Sequence, residues 1–207
     1  MHVVIPAREG SKGLPGKNRK LLTSTLSIVP SNIPVWISTD DLKVESMCQF
    51  WGSRIHKRSK RSASDTAPIK TCLQEWVDSV DIDDDELVVV LYLTYPERTW
   101  KDVLKGVEFL EEHHAPSLLC RYPVKDHPHL CFTSKGPTGT PLVNHSLHRR
   151  QDYPECFVAS HYLIMFKAGE LEVLGPNMYN KNTVFLPIEQ PVDVDTVEDL
   201  HRLSRAH

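Results

Sequence analysis

Val3-Val4-Ile5-Pro6-Ala7-Arg8-Glu9-Gly10-Ser11-Lys12-Gly13-Leu14-Pro15-Gly16-Lys17-Asn18 is the stretch on which the reading of the fold turns. It opens with a short apolar run, which reads as a buried strand. Pro6 is expected to break that strand into a loop that carries Gly10, Gly13 and Gly16 among the long cations Arg8, Lys12 and Lys17. Glycines let backbone N–H groups close on an anion, and clustered cations neutralise it. A strand feeding such a loop suits the carboxyl edge of an α/β sheet, where these folds bind ligands. The spacing favours a polyphosphate site over a polar surface turn with solvated lysines. A Walker A loop is excluded, because G-x-x-x-x-G-K-[ST] needs glycine where Ser11 stands and a hydroxyl residue where Asn18 stands.

At 207 residues the chain is long enough for one good-sized core, and a single domain over 1–207 is expected. A 25% charged and 40% hydrophobic composition is that of an ordinary globule. The net charge of −3 gives no general reason to expect nucleic acid or an anionic membrane as partner. No apolar run approaches the roughly 20 residues of a membrane span, and Met1-His2-Val3 lacks a basic signal-peptide start. Cys48, Cys72, Cys120, Cys131 and Cys156 are odd in number and show no C-x-x-C, which favours reduced thiols in a cytoplasmic protein.

Along the chain, Arg19 to Pro34 leaves room for little more than two turns of helix. Val35 to Ser38 reads as a second strand ending at Thr39-Asp40-Asp41, with an aspartate to cap the helix that follows up to Gly52. A short strand near Ser53 to Ile55 leads into the basic run His56 to Arg61. Ser64-Asp65-Thr66 is expected to cap a helix carrying Ile69, Leu73, Trp76, Val77 and Val80. The acidic run Asp81 to Glu86 reads as a solvated turn. Leu87 to Leu91 is apolar without alternation, as a central strand covered on both faces should be. A helix from Thr99 to His113 and a strand at Ser117 to Cys120 continue the β-α alternation of a doubly wound α/β sheet. Arg121 to Tyr153 breaks that pattern, and only Leu130-Cys131-Phe132 looks strand-like there. An irregular insert of this length, about 121–158, is usually functional or supports an interface. Tyr162 to Phe166 and Thr183 to Pro187 return to the core, and a last helix spans about Val197 to Ser204.

Val192-Asp193-Val194-Asp195-Thr196 is the second informative stretch. Read as a strand, it turns both aspartates to one side and both valines to the core. Two such carboxylates can hold a hard cation together with phosphate oxygens and water. Asp195 can equally cap the last helix.

The first stretch, from Ala7 to Asn18, resembles the A-R-x-x-S-K-G-[L/I]-x-x-K-N signature of the CMP-sialic acid synthetases and their CMP-Kdo relatives. Four further pieces match that family in order. Ile37-Ser38-Thr39-Asp40 is similar to its [IV]-S-T-D, and Arg58 with Ala63 to Ala67 to its R-P-x-x-x-A-x-D-T-[AS]. Leu91 to Thr99 is similar to L-Q-P-T-S-P-x-R-T, and Asp193 to Leu200 to D-[IV]-D-T-x-x-D-[LF]. The resemblance implies a Rossmann-like, mostly parallel sheet of the nucleotide-diphospho-sugar transferase type, with a dimerisation insert. It implies CTP held by Ala7, Arg8, Gly10, Ser11, Lys12, Lys17, Asn18, Arg58, Asp65 and Thr66. It places Mg²⁺ or Mn²⁺ on Asp193 and Asp195, with Arg8, Lys12, Lys17 and Asp195 as the catalytic set. A sialic acid-like sugar would meet Tyr92, Tyr95, Arg98, Arg150 and Gln151, the last two on an insert that crosses to a second subunit.

The departures fall on the sugar side. Tyr92 replaces the family's glutamine, Tyr95 its serine, and Ala159-Ser160-His161-Tyr162 its P-N-G-A. The first helix is also shorter by roughly two turns. Another sugar acid (Kdo, legionaminate or pseudaminate) is therefore a rival acceptor, and a nucleotide-binding homologue without catalysis is a rival class. Arg149-Arg150 reads equally as a surface pair, and His127-Pro128-His129 lacks the companion ligands of a zinc site.

Overall fold

The computed structural model describes residues 1–10 and 13–203. β1 (His2–Ala7) runs into α1 (Lys17–Ser27), and β2 (Val35–Thr39) into α2 (Leu42–Cys48). β3 (Arg54–Lys57), α3 (Ile69–Ser79), β4 (Leu87–Val90), α4 (Trp100–Glu112) and β5 (Ser117–Pro123) follow. A hairpin of β6 (Phe132–Lys135) and β7 (Thr138–Pro141) precedes β8 (Phe157–Lys167), β9 (Thr183–Pro187) and α5 (Val197–Leu203).

The main sheet has the order β3-β2-β1-β4-β8-β5-β9. Every pairing is parallel except those of β8, which lies antiparallel between β4 and β5. Along β1 alternate residues face opposite ways. Val3 and Ile5 join one core with Leu22 of α1 and Val103 of α4, whereas Val4 joins another with Leu73 and Trp76 of α3. The sheet is covered on both faces, as the unbroken apolar run of β4 requires.

Local chemistry sets the ends of the helices. Asp41 caps α2 by accepting from the Lys43 N–H, and Gly52, at φ 65°, turns the chain after it. Thr99 and Asp102 form a capping box at α4. At α3 the expected cap is corrected: Pro68 occupies the position with no side-chain bond, and Asp65 instead pairs with Arg8.

Four further expectations change. β1 runs through Pro6 to Ala7, because its pairing with β4 ends at Val4 while that with β2 continues to Thr39. The missing proline N–H therefore costs no ladder bond. α1 has 11 residues, about three turns rather than two. The β6–β7 hairpin went unread because all eight of its strand residues are exposed and carry no apolar alternation, while Pro128–Leu130 is a 3₁₀ turn. The segment from Val192 to Thr196 is not a strand. It is extended chain whose Val194 N–H donates to the Thr94 carbonyl at 2.8 Å, with Val194 buried and both aspartates exposed.

Among the described residues no helix is long and apolar enough to cross a membrane. All five cysteines are free.

Candidate active site

Strands β2 and β3 extend the sheet to one side of β1, and β4 lies on the other. The carboxyl edge between β1 and β4 is thus a switch point of the winding, where a crevice opens. A cleft of about 280 Å³ is found there. Pro6 and Arg8 line it from the end of β1, and Tyr92, Leu93 and Thr94 from the end of β4. Lys17 and Asn18 enter from α1, and Arg58 and Asp65 from the loop after β3.

α1 begins at Gly16, which has φ 69° and no side-chain cap, and there is no acidic residue in its first turn. The Lys17 N–H donates back to the Leu14 carbonyl at 3.0 Å, and the next N–H groups stand at the positive end of the helix dipole, where an anion is favoured. Asn18 donates to the Arg8 carbonyl at 2.6 Å and ties the helix to the end of β1. Arg8 donates to the Ala63 carbonyl at 3.3 Å and pairs with the Asp65 carboxylate. Arg58 donates from Nε to the Ser38 carbonyl and Oγ, both at 3.2 Å, and from Nη1 to the Ser62 carbonyl at 3.4 Å.

The acidic segment meets this basic one. Lys17 Nζ donates to Asp195 Oδ1 at 2.7 Å. A Cβ built on Gly13 would lie 2.4 Å from the Asp195 carbonyl oxygen, so only glycine allows this approach of the two backbones. Asp193 accepts from the Tyr95 hydroxyl at 3.0 Å. Asp195 does not cap α5. Asp199 does so with Thr196, its Oδ2 accepting from the N–H of Asp195 and of Thr196 and from Thr196 Oγ1. Asp199 was not among the expected site residues, although its place in the D-T-x-x-D pattern was the available signal. The capping duty falls to it, and the Asp195 carboxylate stays free to face the cations.

The remaining expected residues divide. Ala7 is buried, and its carbonyl accepts from Thr39 Oγ1 at 2.6 Å. Gly10, at φ 83°, and the exposed Thr66 do not line the cleft. Ser11 and Lys12 lie outside the described residues. Tyr92 forms cleft wall and stacks on His161, with centroids 5.7 Å apart, and burial pushes its hydroxyl pKa up. Tyr95 lies between two further cavities of about 530 and 370 Å³, the second reaching Asp193, Tyr122, Ser160 and Arg202.

Arg98 is corrected as a sugar contact. It is 2% exposed, donates to the carbonyls of Tyr162 at 2.7 Å and Tyr92 at 2.8 Å, and braces β8 against the end of β4. Burial pushes its pKa down to about 10. Arg150 and Gln151 are exposed on a 3₁₀ turn of the insert and line none of these three cavities.

For a divalent cation, Asp193 and Asp195, both exposed and flanking the buried Val194 in the chain, offer hard oxygen donors. Two carboxylates are too few to hold an ion alone, and among the described residues no group of three or more His, Cys, Asp or Glu side chains could do so. The donor set fits Mg²⁺ or Mn²⁺ only when phosphate oxygens and water complete the shell.

No family model matches the chain. An N-acylneuraminate cytidylyltransferase of Streptococcus agalactiae serotype III is 25% identical over 211 aligned positions, covering 95% of this chain and 50% of that protein. N-acylneuraminate cytidylyltransferase B of Danio rerio is 34% identical over 82 residues, 36% of this chain and 19% of that protein. The chain therefore spans half or less of the length of these curated relatives. Among solved structures, a CMP:2-keto-3-deoxy-manno-octonic acid synthetase complexed with CTP superposes with a TM-score of 0.68 at 16% identity, covering 99% of this chain and 97% of that one. The 2-C-methyl-D-erythritol 4-phosphate cytidylyltransferase of Francisella tularensis gives 0.65 at 12% identity, covering 100% and 99%. The chain is similar in sequence to N-acylneuraminate cytidylyltransferases, and it shares its Rossmann-like fold with these two solved cytidine-nucleotide enzymes.

Proposed function

We propose that this protein is a cytidylyltransferase that joins the CMP part of CTP to an acidic 3-deoxy-2-ulosonic sugar of the sialic acid type. The meeting of Lys17 with Asp195 at the mouth of the switch-point cleft carries this reading. The sugar's anomeric hydroxyl attacks the α-phosphorus and releases its proton to water, while the bond to pyrophosphate breaks. Such a transfer needs positioning and charge neutralisation more than covalent help from the protein.

Arg8, Lys12 and Lys17 would neutralise the triphosphate and the charge that grows on departing pyrophosphate. Asn18 would hold the loop in register, and Arg58 would fix the nucleoside end of the cleft. Asp193 and Asp195 would hold Mg²⁺ or Mn²⁺ against the phosphates. When bound, that ion lowers the charge on the α-phosphate and favours ionisation of the incoming hydroxyl. The acceptor would lie toward Tyr95, in the cavity shared with Asp193. Arg150 and Gln151 would reach a sugar only across a subunit boundary, so we place them, with the insert at 121–158, in a cytoplasmic homodimer. Exposed Leu130, Phe132 and Leu142 on that insert support the assignment.

Pyrophosphate release from CTP over a panel of sugar acids, including Kdo, legionaminate and pseudaminate, tests the reaction and its acceptor together. Failure on every acid with CTP still bound would favour the second reading, a nucleotide binder without catalysis. The engagement of Asp193 by Tyr95 is the observation on its side. Light scattering at micromolar protein tests the dimer, and a monomeric mass would sink it.

A further inference from the structure

Behind the cleft lies a hydroxyl to which the chemistry above gives no task. Ser38 is fully buried in β2, and its Oγ is 2.9 Å from His56 Nδ1, 2.9 Å from Cys72 Sγ and 3.2 Å from Arg58 Nε. These partners come from β3, from α3 and from the loop that follows β3, so one oxygen joins three separate pieces of chain. A serine hydroxyl gives one proton and accepts two. Arg58 Nε is always a donor and takes one acceptor position. One proton and one acceptor position remain, and His56 and Cys72 fill them. Every bonding position of the hydroxyl is occupied.

The neighbours hold this arrangement in one protonation state. Burial lowers the His56 pKa and outweighs the opposing pull of Glu75, while Arg58 adds to the lowering. Burial raises the Cys72 pKa, so the thiol keeps its proton. Glu75 of α3 accepts from the hydroxyls of Ser59 and Ser62, fixing the loop whose Ser62 carbonyl receives Arg58 Nη1. The Arg58 N–H donates to the Thr39 carbonyl at 3.1 Å and anchors the base of the same side chain.

We propose that Ser38, saturated by His56 and Cys72, is the positioning residue for Arg58 and aims its guanidinium into the nucleotide cleft. A guanidinium has five N–H groups, of which Nε–H and one on Nη1 are directed inward here. The side chain also lines the cleft, so the N–H groups not held inward are the ones a ligand there can meet. An arginine held this way gives up little side-chain freedom when a ligand arrives, so its contact is not offset by ordering cost. The inference rests on the reading of the cleft as a CTP site and adds the residue that sets its geometry.

A double-mutant cycle on CTP affinity tests it, with Ser38→Ala, Arg58→Ala and the pair. Ser38→Ala is expected to raise Kd and KM for CTP about tenfold and leave kcat at saturating CTP within about twofold, as loss of uniform binding does. In the Arg58→Ala background the same change is expected to have no further effect. An undiminished tenfold loss there would show that Ser38 acts without Arg58 and would overturn the proposal. Nucleotide-free protein supplies the independent arm. The ¹⁵N-labelled Arg58 Nε–H should be slow to exchange with solvent, and faster in Ser38→Ala, where only the backbone carbonyl at position 38 still accepts from it. A fast-exchanging Arg58 in the unsubstituted protein overturns the proposal whether or not CTP binds. Failure of CTP to bind at all, with Arg58 protected, would instead count against the function.

Discussion

Lys17 Nζ donates to Asp195 Oδ1 at 2.7 Å, joining side chains 178 positions apart. One belongs to the first helix and the other to the turn into the last, so the two ends of the fold close one face of the cleft. Lys17→Ala and Asp195→Asn are each expected to slow pyrophosphate release about 100-fold, the scale of one lost transition-state contact of about 3 kcal/mol. Near-normal turnover in either variant would overturn the proposed machinery.

The same contact sets Lys17 against any cation that approaches Asp195. Without nucleotide, the ammonium occupies an oxygen that a metal on Asp195 would need. An exposed ion pair is worth about 1 kcal/mol, so Lys17→Met should bind Mn²⁺ alone roughly fivefold more tightly. Its affinity for CTP should fall at the same time. Titration of free Mn²⁺ by paramagnetic resonance reads the first effect. Unchanged or weaker Mn²⁺ binding would show that the lysine does not compete.

Gly13 tests the approach of the two backbones. An alanine Cβ there would meet a main-chain oxygen 2.4 Å away, and that atom cannot swing aside as a side-chain end can. Gly13→Ala should push the Asp195 segment off Lys17 and cost about 100-fold in turnover, as misplacement of the order of 1 Å does. The unfolding midpoint should fall as well, because Val194 beside Asp195 is buried in the core.

Arg98 should behave in the opposite way. Its loss would strand the Tyr92 and Tyr162 carbonyls in a buried place. Arg98→Met is expected to destabilise the fold by about 2–4 kcal/mol, measured by urea unfolding. A variant of full stability with selectively impaired sugar use would restore it to the acceptor site.

Acid should weaken the fold through His56. Its folded pKa lies below the ordinary 6.5, so the unfolded chain binds the proton more readily. Its contribution is complete above 6.5 and is lost as pH falls from there through the lowered value. Urea midpoints between pH 7.5 and 5.5 should drop, and drop less in His56→Gln. Equal slopes in both proteins would exclude His56 as the source.

The order of the elements was legible because strands β1, β2 and β4 announce themselves as apolar runs between turn residues, and α4 carries its own capping box. The hairpin was not, since none of its exposed positions is selected for apolar alternation. Arg98 came to the sugar through the family resemblance, and nothing in its sequence context told that its charge would be buried. Asp199 stayed hidden because only Asp195 was weighed as a cap for the last helix, against metal binding, although two carboxylates stood within reach of that terminus. Ser38 lay inside a matched motif but gained a role only when β3 and α3 brought His56 and Cys72 against it.

The reversed direction of β8 has an outcome for how this fold could change its chemistry. To one side of it stand β4, β1, β2 and β3, and the end of β1 and the segments after β1, β3 and β4 line the cleft; to the other stand β5 and β9, which lead to the insert and to the segment before Asp193. Because β8 pairs with both groups, its outer end and the strands beyond it form a separable module around a fixed seam. Under the proposed function, substitution there would alter the choice of acceptor while the half that carries Arg8, Lys17 and Arg58 kept its geometry, with Tyr92, His161 and Tyr162 at the seam.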